Sequence, residues 1–166
     1  HEYNADMSTW NGALLAALSY QYAVTQDRDT LIWISELISG LHFFLEITGV
    51  DGLAARCVLP GNTAVEDATL HYTDGDGAEY VYRSDPAKGT YNQIFSGYAA
   101  VLAYVYADLP HETQQLLQRD ILALARTHRL TTYDVAYLEL ALRKGATLAP
   151  RDTELAAAAR SLGVPV

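Results

Sequence analysis

Two acidic residues near the end of the chain, Asp134 and Asp152, each stand at the start of a helix-like segment. Carboxylates at such positions have two possible roles. They are oxygen ligands for hard divalent cations such as Mg²⁺, and they also accept hydrogen bonds from the free amides at a helix start, where the macrodipole favours negative charge. From these residues alone helix capping is the better explanation, with Thr132 as the cap before Asp134 and Asp152 as a cap itself.

A second group of polar and aromatic residues lies in two loops, "ADMSTWNG" and "RSDPAKGTYNQ", each just before a predicted helix. Aromatic rings in such loops can stack on sugars, an arginine can hold a carboxylate, and an aspartate can act as acid or base. The alternative is that the aromatics belong to the core and that Arg83 and Asp85 form a surface pair. The candidate residues are Asp6, Trp10, Asn11, Arg83, Asp85, Tyr91, Asn92 and Gln93.

The other residues with reactive side chains indicate structural roles. His42 lies in an apolar segment, where a satisfied core histidine is expected, and His71 lies in a predicted β-hairpin. The single cysteine, Cys57, has no partner for an internal disulfide and is expected to be buried as a small apolar residue. The "DGDG" at 74–77 lacks the terminal glutamate of a calcium-binding loop, so a tight turn is the better explanation.

The elements that position these residues are predicted from apolar periodicity. Two helical hairpins are expected, separated by an irregular stretch at 50–67 and a β-hairpin in "LHYTDGDGAEYVYR". The predicted helices cover 8–24, 30–48, 91–109 and 111–128. The fold class is therefore mainly α, with one β-hairpin.

The tail differs from the front in amino-acid composition, because it is rich in Ala, Leu and Arg whereas the front is rich in aromatic residues. It predicts a helix, a short strand "ATLAP", a second helix and an apolar end "VPV", which is an α/β pattern. We therefore predict a helical-hairpin region at 1–121 and a separate segment at 122–166.

Charge follows the same division. The net charge is −9. Residues 1–121 hold 5 basic against 16 acidic residues, and residues 122–166 hold 6 against 4. An acidic surface disfavours a phosphate backbone, so only the last quarter suits nucleic acid. No apolar run approaches the roughly 20 residues that span a bilayer, and no membrane partner is expected.

The tail resembles the C-terminal part of PIN-domain ribonucleases, including VapC-type toxins. The match consists of "LTTYDVAYL", then a short strand, an acid, and the Ala-rich "AAAARSLGV". The resemblance implies that Asp134 and Asp152 are catalytic ligands of Mg²⁺ or Mn²⁺, which would polarise a phosphate and activate water. It also implies RNA or an antitoxin as partner and a cytoplasmic location.

That family uses four acids, and the two expected near the start of the domain are not found here. "HEYNADMSTW" is not an apolar strand ending in an acid. Glu36 and Glu46 lie in a helix that does not resemble the helix carrying the family's second acid. We therefore expect weak or no ribonuclease activity from this chain alone. The chain, which begins at His1, is predicted to be composite or truncated.

Residues 1–121 resemble a fragment of an α/α-toroid, the helical-hairpin barrel of glycan hydrolases and lyases. The match lies in "MSTWNGALLAALSYQYAVTQD" and "YRSDPAKGTYNQIFSGYAAVLAYVYADLP". This resemblance implies an oligosaccharide ligand at the two loops. Only two hairpins are present, so apolar helix faces are expected to be uncovered. Those faces suggest self-association or, as a third hypothesis, a non-catalytic interaction domain.

Overall fold

The computed structural model of the protein describes residues 6–63, 69–86, 88–127, 141, 146–151, 153–161 and 164–166. This part of the chain is mainly helical and contains one small antiparallel sheet. The helices are α1 (Met7–Thr25), α2 (Arg28–Glu46), α3 (Lys88–Tyr104), α4 (His111–Thr127) and α5 (Thr153–Ser161), and a short 3₁₀ helix covers Tyr106–Asp108. The strands are β1 (Cys57–Pro60), β2 (Leu70–Thr73) and β3 (Glu79–Arg83).

The first hairpin, α1 and α2, turns at an αL residue and an aspartate cap. Gln26 has φ 53°, and its amide donates to the carbonyl of Tyr22. Asp27 then caps α2, because its Oδ2 accepts the Thr30 amide at 2.9 Å and the Thr30 hydroxyl at 2.7 Å. The turn chemistry thus ends one helix and starts the next within two residues.

Helices α1 and α3 lie side by side in the same direction and approach closely at two glycines. A Cβ added to Gly12 would lie 2.5 Å from the backbone of Gln93, and one added to Gly97 would lie 2.7 Å from the carbonyl oxygen of Gly12. No side chain larger than hydrogen fits there without moving backbone. These two glycines therefore set the spacing of the helix pair.

The sheet has the strand order β1-β3-β2, and both pairs are antiparallel. Val81 is the central position, opposite Leu59 on one side and His71 on the other. The β2–β3 turn is organised by Asp74, whose Oδ1 accepts the amides of Asp76 at 3.0 Å and Ala78 at 2.8 Å. The tight turn predicted for "DGDG" is therefore confirmed.

The main core lies between the helices, and a smaller cluster lies under the sheet. The core is filled by apolar side chains at helical spacing, for example Ile34, Ile38 and Leu41 of α2. The cluster under the sheet joins the end of α2 to β3 through Phe44, Ile47, Ala55 and Tyr82. The sheet thus closes one end of the helix layer.

A third cluster belongs to the tail and comprises Ala141, Leu155, Ala159 and Val164. Ile121 of α4 packs against both this cluster and the main core. The boundary predicted at 121 and 122 falls inside α4, and it stays a prediction.

The four helices predicted for the front are confirmed with small shifts in their ends. Two expectations differ from the structure. The stretch expected to be irregular contains β1, which completes the sheet as a third strand. The segments "ATLAP" and "VPV" are not strands, although the Leu148 amide donates to the Pro165 carbonyl at 2.8 Å. A single bond of this kind does not make a ladder. Most of the helix predicted around Asp134 lies outside the described residues.

Several large apolar side chains of the first hairpin are exposed. Val24 is 86% exposed, Trp33 64% and Ile32 53%. This agrees with the uncovered helix faces expected from an incomplete set of hairpins, while self-association through them stays a prediction. Within the described ranges no helix has both the length and the apolar character that crossing a bilayer requires.

Candidate functional site

Four charged side chains from separate segments meet where α1 and α3 begin, and we call them the helix-start cluster: Asp6, Arg56, Arg83 and Asp85. The Arg56 Nε donates to Asp6 Oδ1 at 2.8 Å, and its Nη1 lies 3.7 Å from Asp85 Oδ2. Arg83 holds the same Asp85 at 2.8 Å. The two predicted loops therefore come together, and Arg56, which the sequence did not single out, joins them.

The cluster determines the role of the residue at the N-cap of α1. Asp6 occupies this position, and it makes no side-chain capping bond. Its carboxylate bonds to Arg56 instead, while the buried Ser8 hydroxyl donates to the Arg56 carbonyl at 3.3 Å. The start of α1 is thus anchored to the segment before β1.

The aromatic and amide candidates are divided between surface and interior. Trp10 lies in the first turn of α1 with 61% of its surface exposed. Tyr91 is partly buried, and its hydroxyl accepts the Ala54 amide at 3.3 Å. Asn11, Asn92 and Gln93 are of intermediate burial. Trp10 is available to a ligand, whereas Tyr91 supports the backbone near the cluster.

The helix starts repeat one short pattern. "TWN" at 9–11 and "TYN" at 90–92 open α1 and α3, and the hydroxyls of Thr9 and Thr90 lie 3.0 Å apart. This repeat was a signal in the sequence that the two loops lie side by side. It places Trp10 and Tyr91 at equivalent positions of two neighbouring helices.

Interactions within the cluster shift the pKa values of Asp85 and Arg56. Partial burial acts to raise the pKa of Asp85, but the hydrogen bonds and charge of Arg83, with Arg56 further away, outweigh it and lower the pKa. The hydrogen bond to Asp6 raises the pKa of Arg56. With each carboxylate in the cluster paired to an arginine, the arrangement suits binding more than proton transfer at neutral pH.

A second polar arrangement lies between α2 and α4. The Nδ1 of His42 lies 2.7 Å from Oδ1 of Asp120, and the Tyr98 hydroxyl donates to the other oxygen of Asp120 at 2.6 Å. Asp120 is only 2% exposed. His42 was expected to be a satisfied core residue, and its Nδ1 is satisfied, but the residue also lines a cleft of about 420 Å³.

The cleft is lined by groups of both signs. Besides His42 and Asp120, it contains Glu46, Asp51 and Arg119. The Nε2 of His42 lies 3.6 Å from Glu46 Oε2. The hydrogen bond to Asp120 raises the pKa of His42, although burial opposes it, and burial together with the charge of Asp120 raises the pKa of Tyr98.

Sequence reasoning missed Asp120, although a signal was present. Thr113, Leu117 and Leu124 lie on the buried face of α4, and Asp120 occurs at the same helical spacing. An acid on an apolar face needs a buried partner. That requirement predicts a hydrogen bond from Asp120 to the histidine or to a tyrosine of a neighbouring helix.

The two acids predicted as catalytic and metal ligands, Asp134 and Asp152, lie outside the described residues. Residues 146–151 and α5 (Thr153–Ser161) flank Asp152. Among the described residues, no three His, Cys, Asp or Glu side chains are grouped so as to hold a metal ion. Cys57 is buried as expected, and burial raises the pKa of its thiol.

No protein-family model matches the chain, and no curated protein or solved structure matches it either. The described residues form a helical-hairpin unit with a three-stranded sheet, and the helix-start cluster lies where α1 and α3 begin.

Proposed function

We propose that the helical-hairpin region binds an oligosaccharide at the helix-start cluster. The observation that carries this proposal is the convergence of the helix-start cluster from three segments of the chain. An exposed tryptophan, Trp10, follows one helical turn after Asp6, and its amide donates to the Asp6 carbonyl at 3.1 Å. Planar indole rings stack on the apolar face of a sugar, and paired arginines and carboxylates supply donors and acceptors for its hydroxyls. Several polar groups around an exposed ring are typical of a binding surface.

Binding is better supported than cleavage. Glycoside hydrolysis needs one carboxylic acid that donates a proton and one carboxylate that acts as base or nucleophile. Both acids of the cluster contact arginines, and the pKa of Asp85 is lowered. The lowered pKa of Asp85 disfavours a protonated acid at that position at neutral pH.

The test uses two tryptophans of nearly equal exposure. Trp10 is 61% exposed and Trp33 of α2 is 64% exposed. Binding of neutral and uronate-containing oligosaccharides should be measured by calorimetry on the full chain. We expect Trp10→Ala and Arg83→Gln each to abolish binding, whereas Trp33→Ala leaves the affinity unchanged. Absence of binding by the parent chain, or equal losses from both tryptophan variants, would refute the proposal.

We also propose, for the last quarter, a partial metal-dependent ribonuclease that uses Asp134 and Asp152 with Mg²⁺ or Mn²⁺. It is supported by the resemblance of the tail and by the position of α5, which begins immediately after Asp152. Its buried residues Leu155 and Ala159 belong to the tail cluster. We expect the RNA cleavage to be weak or absent, since two of the four family acids are missing.

Titration with Mn²⁺ tests this second proposal independently of catalysis. Paramagnetic broadening should begin at the signals of Asp134 and Asp152 and should disappear in Asp134→Asn/Asp152→Asn. Asp29→Asn, an exposed acid of α2, is the matched control and should change nothing. If broadening spreads evenly over the acidic front instead, the tail holds no metal site.

A further inference from the structure

The cleft between α2 and α4 has the size and composition of a ligand site. Its volume of about 420 Å³ lies within the roughly 300–1,000 Å³ usual for small-molecule pockets. The residues that line it are all different from those of the helix-start cluster. A ligand in this cleft would therefore bind independently of an oligosaccharide at that cluster.

The imidazole of His42 is held in one orientation. Asp120 accepts from Nδ1 at 2.7 Å, and Tyr98 donates to the second oxygen of that carboxylate at 2.6 Å. Since Tyr98 and Asp120 are both 2% exposed, this support is shielded from water. A histidine fixed through one ring nitrogen presents the other in a defined direction.

The second ring nitrogen of His42 is only loosely engaged by Glu46. The Oε2 of Glu46 lies 3.6 Å from Nε2, which is too long for a good hydrogen bond. Glu46 is also largely exposed, with 57% of its side chain accessible. A hydroxyl group entering the cleft could therefore bond to the imidazole and the glutamate together.

Charged groups of both signs line the cleft. An anion would meet the carboxylates of Glu46, Asp51 and Asp120, and a cation would meet Arg119. Hydroxyl groups both donate and accept, so they suit a wall of mixed sign. Two of the lining glycines, Gly49 and Gly52, have φ of 65° and 69° and carry no side chain. A Cβ added to Gly49 would meet nothing within 4 Å, so the space beside this residue is open.

We propose that this cleft binds a small, uncharged, polyhydroxylated molecule such as a single sugar, with His42 Nε2 as the central contact. Asp120 and Tyr98 are positioning residues, because they act through the imidazole. Glu46 supplies the second contact to the hydroxyl groups. The proposal concerns binding alone and requires no covalent step.

The test observes the ring nitrogens of His42 by NMR in the full chain while glucose, galactose, mannose and xylose are added in turn. We expect at least one sugar to shift His42 Nε2 in a saturable way and to leave His71 unchanged. Glu46→Gln should weaken that binding about fivefold, because a neutral amide oxygen accepts a weaker hydrogen bond than a carboxylate does. Glu36→Gln, on an exposed position of the same helix, should leave it unchanged.

The results that overturn the proposal are equally definite. No saturable shift with any of the four sugars would refute it, as would equal affinities for the parent and Glu46→Gln. Stronger binding of acetate or methylammonium would refute the uncharged class. Trp10→Ala should keep the response of His42, so failure of the oligosaccharide proposal and failure of this one give different results.

Discussion

His42 and Asp120, which are 78 residues apart in the chain, form a hydrogen bond of 2.7 Å between α2 and α4. The carboxylate is almost fully buried, and Tyr98 completes its hydrogen bonding. A buried carboxylate is stable only while such partners remain. This pair therefore links the two hairpins by a buried hydrogen bond, in addition to the apolar packing between them.

Removing that carboxylate should be costly. Asp120→Ala leaves the imidazole and the Tyr98 hydroxyl without their acceptor, and we expect it to lower the free energy of unfolding by about 3 kcal/mol. Asp120→Asn keeps the shape and one acceptor, so its loss should be smaller. Urea denaturation measures both. Asp76→Ala, at an exposed turn residue, is the control, and a loss from Asp120→Ala no larger than this one would contradict the role.

Stability should also depend on pH through His42. The hydrogen bond to Asp120 raises the folded-state pKa of His42 above its ordinary value near 6.5. The stabilising contribution is therefore complete below that ordinary pKa and is lost as pH rises through the raised one. The groups facing the imidazole are Glu46 from α2, and Arg119 and Asp120 from α4.

We accordingly expect the free energy of unfolding to fall as the pH rises above the ordinary histidine pKa, near 6.5. His42→Asn should flatten this profile. Urea denaturation at several pH values gives the measurement. A parent profile as flat as that of the variant would show that the pair is not stabilised by protonation.

The sequence predicted the local elements well, because the signals for them are local. The turn at Asp74, for example, depends on hydrogen bonds made within four residues. Strand β1 was missed because its paired residues in β3 lie 20 to 26 positions further along the chain, from Pro60↔Tyr80 to Cys57↔Arg83. A four-residue strand with one buried position carries little periodicity of its own.

The helix-start cluster and the His42 cleft show the same difference between local signals and long-range contacts. Asp85 could be singled out because it stands before a helix, but its meeting with Asp6 depends on Arg56, which lies in a segment without a motif. Likewise, the His42 cleft depends on how α2 packs against α4. Long-range packing, which no short pattern encodes, determined which charged groups meet.

The contact between α1 and α3 gives a steric prediction. In Gly12→Ala the new methyl group would lie 2.5 Å from the Gln93 backbone, so the two helices must separate. We expect a loss of about 2 kcal/mol in the free energy of unfolding, as for other overpacked interiors. Gly40→Ala is the matched control, because a Cβ there meets nothing within 4 Å. It should raise stability by about 0.5–1 kcal/mol through helix propensity. Equal effects of both substitutions on thermal unfolding would contradict the close approach.

The cap of α2 can be tested through its acid dependence. The hydrogen bonds of the Thr30 hydroxyl and amide lower the pKa of Asp27. Its contribution is therefore present above the ordinary aspartate pKa and lost as pH falls through the lowered one. Asp27→Ala should lower the melting temperature at neutral pH more than Asp29→Ala does, with the difference vanishing in acid. A difference that persists in strong acid would mean that the carboxylate is not the cap.

Ile121 contacts both the main core and the tail cluster. Unfolding of either region would therefore expose part of this side chain. Cutting the chain between residues 121 and 122, where the composition changes, would interrupt α4 before its end at Thr127. It would also remove the tail side chains that pack against Ile121. The front and the tail are thus expected to melt as one cooperative unit. An expression fragment of the front would need to extend through the whole of α4 and to tolerate an exposed apolar side chain where the tail had packed.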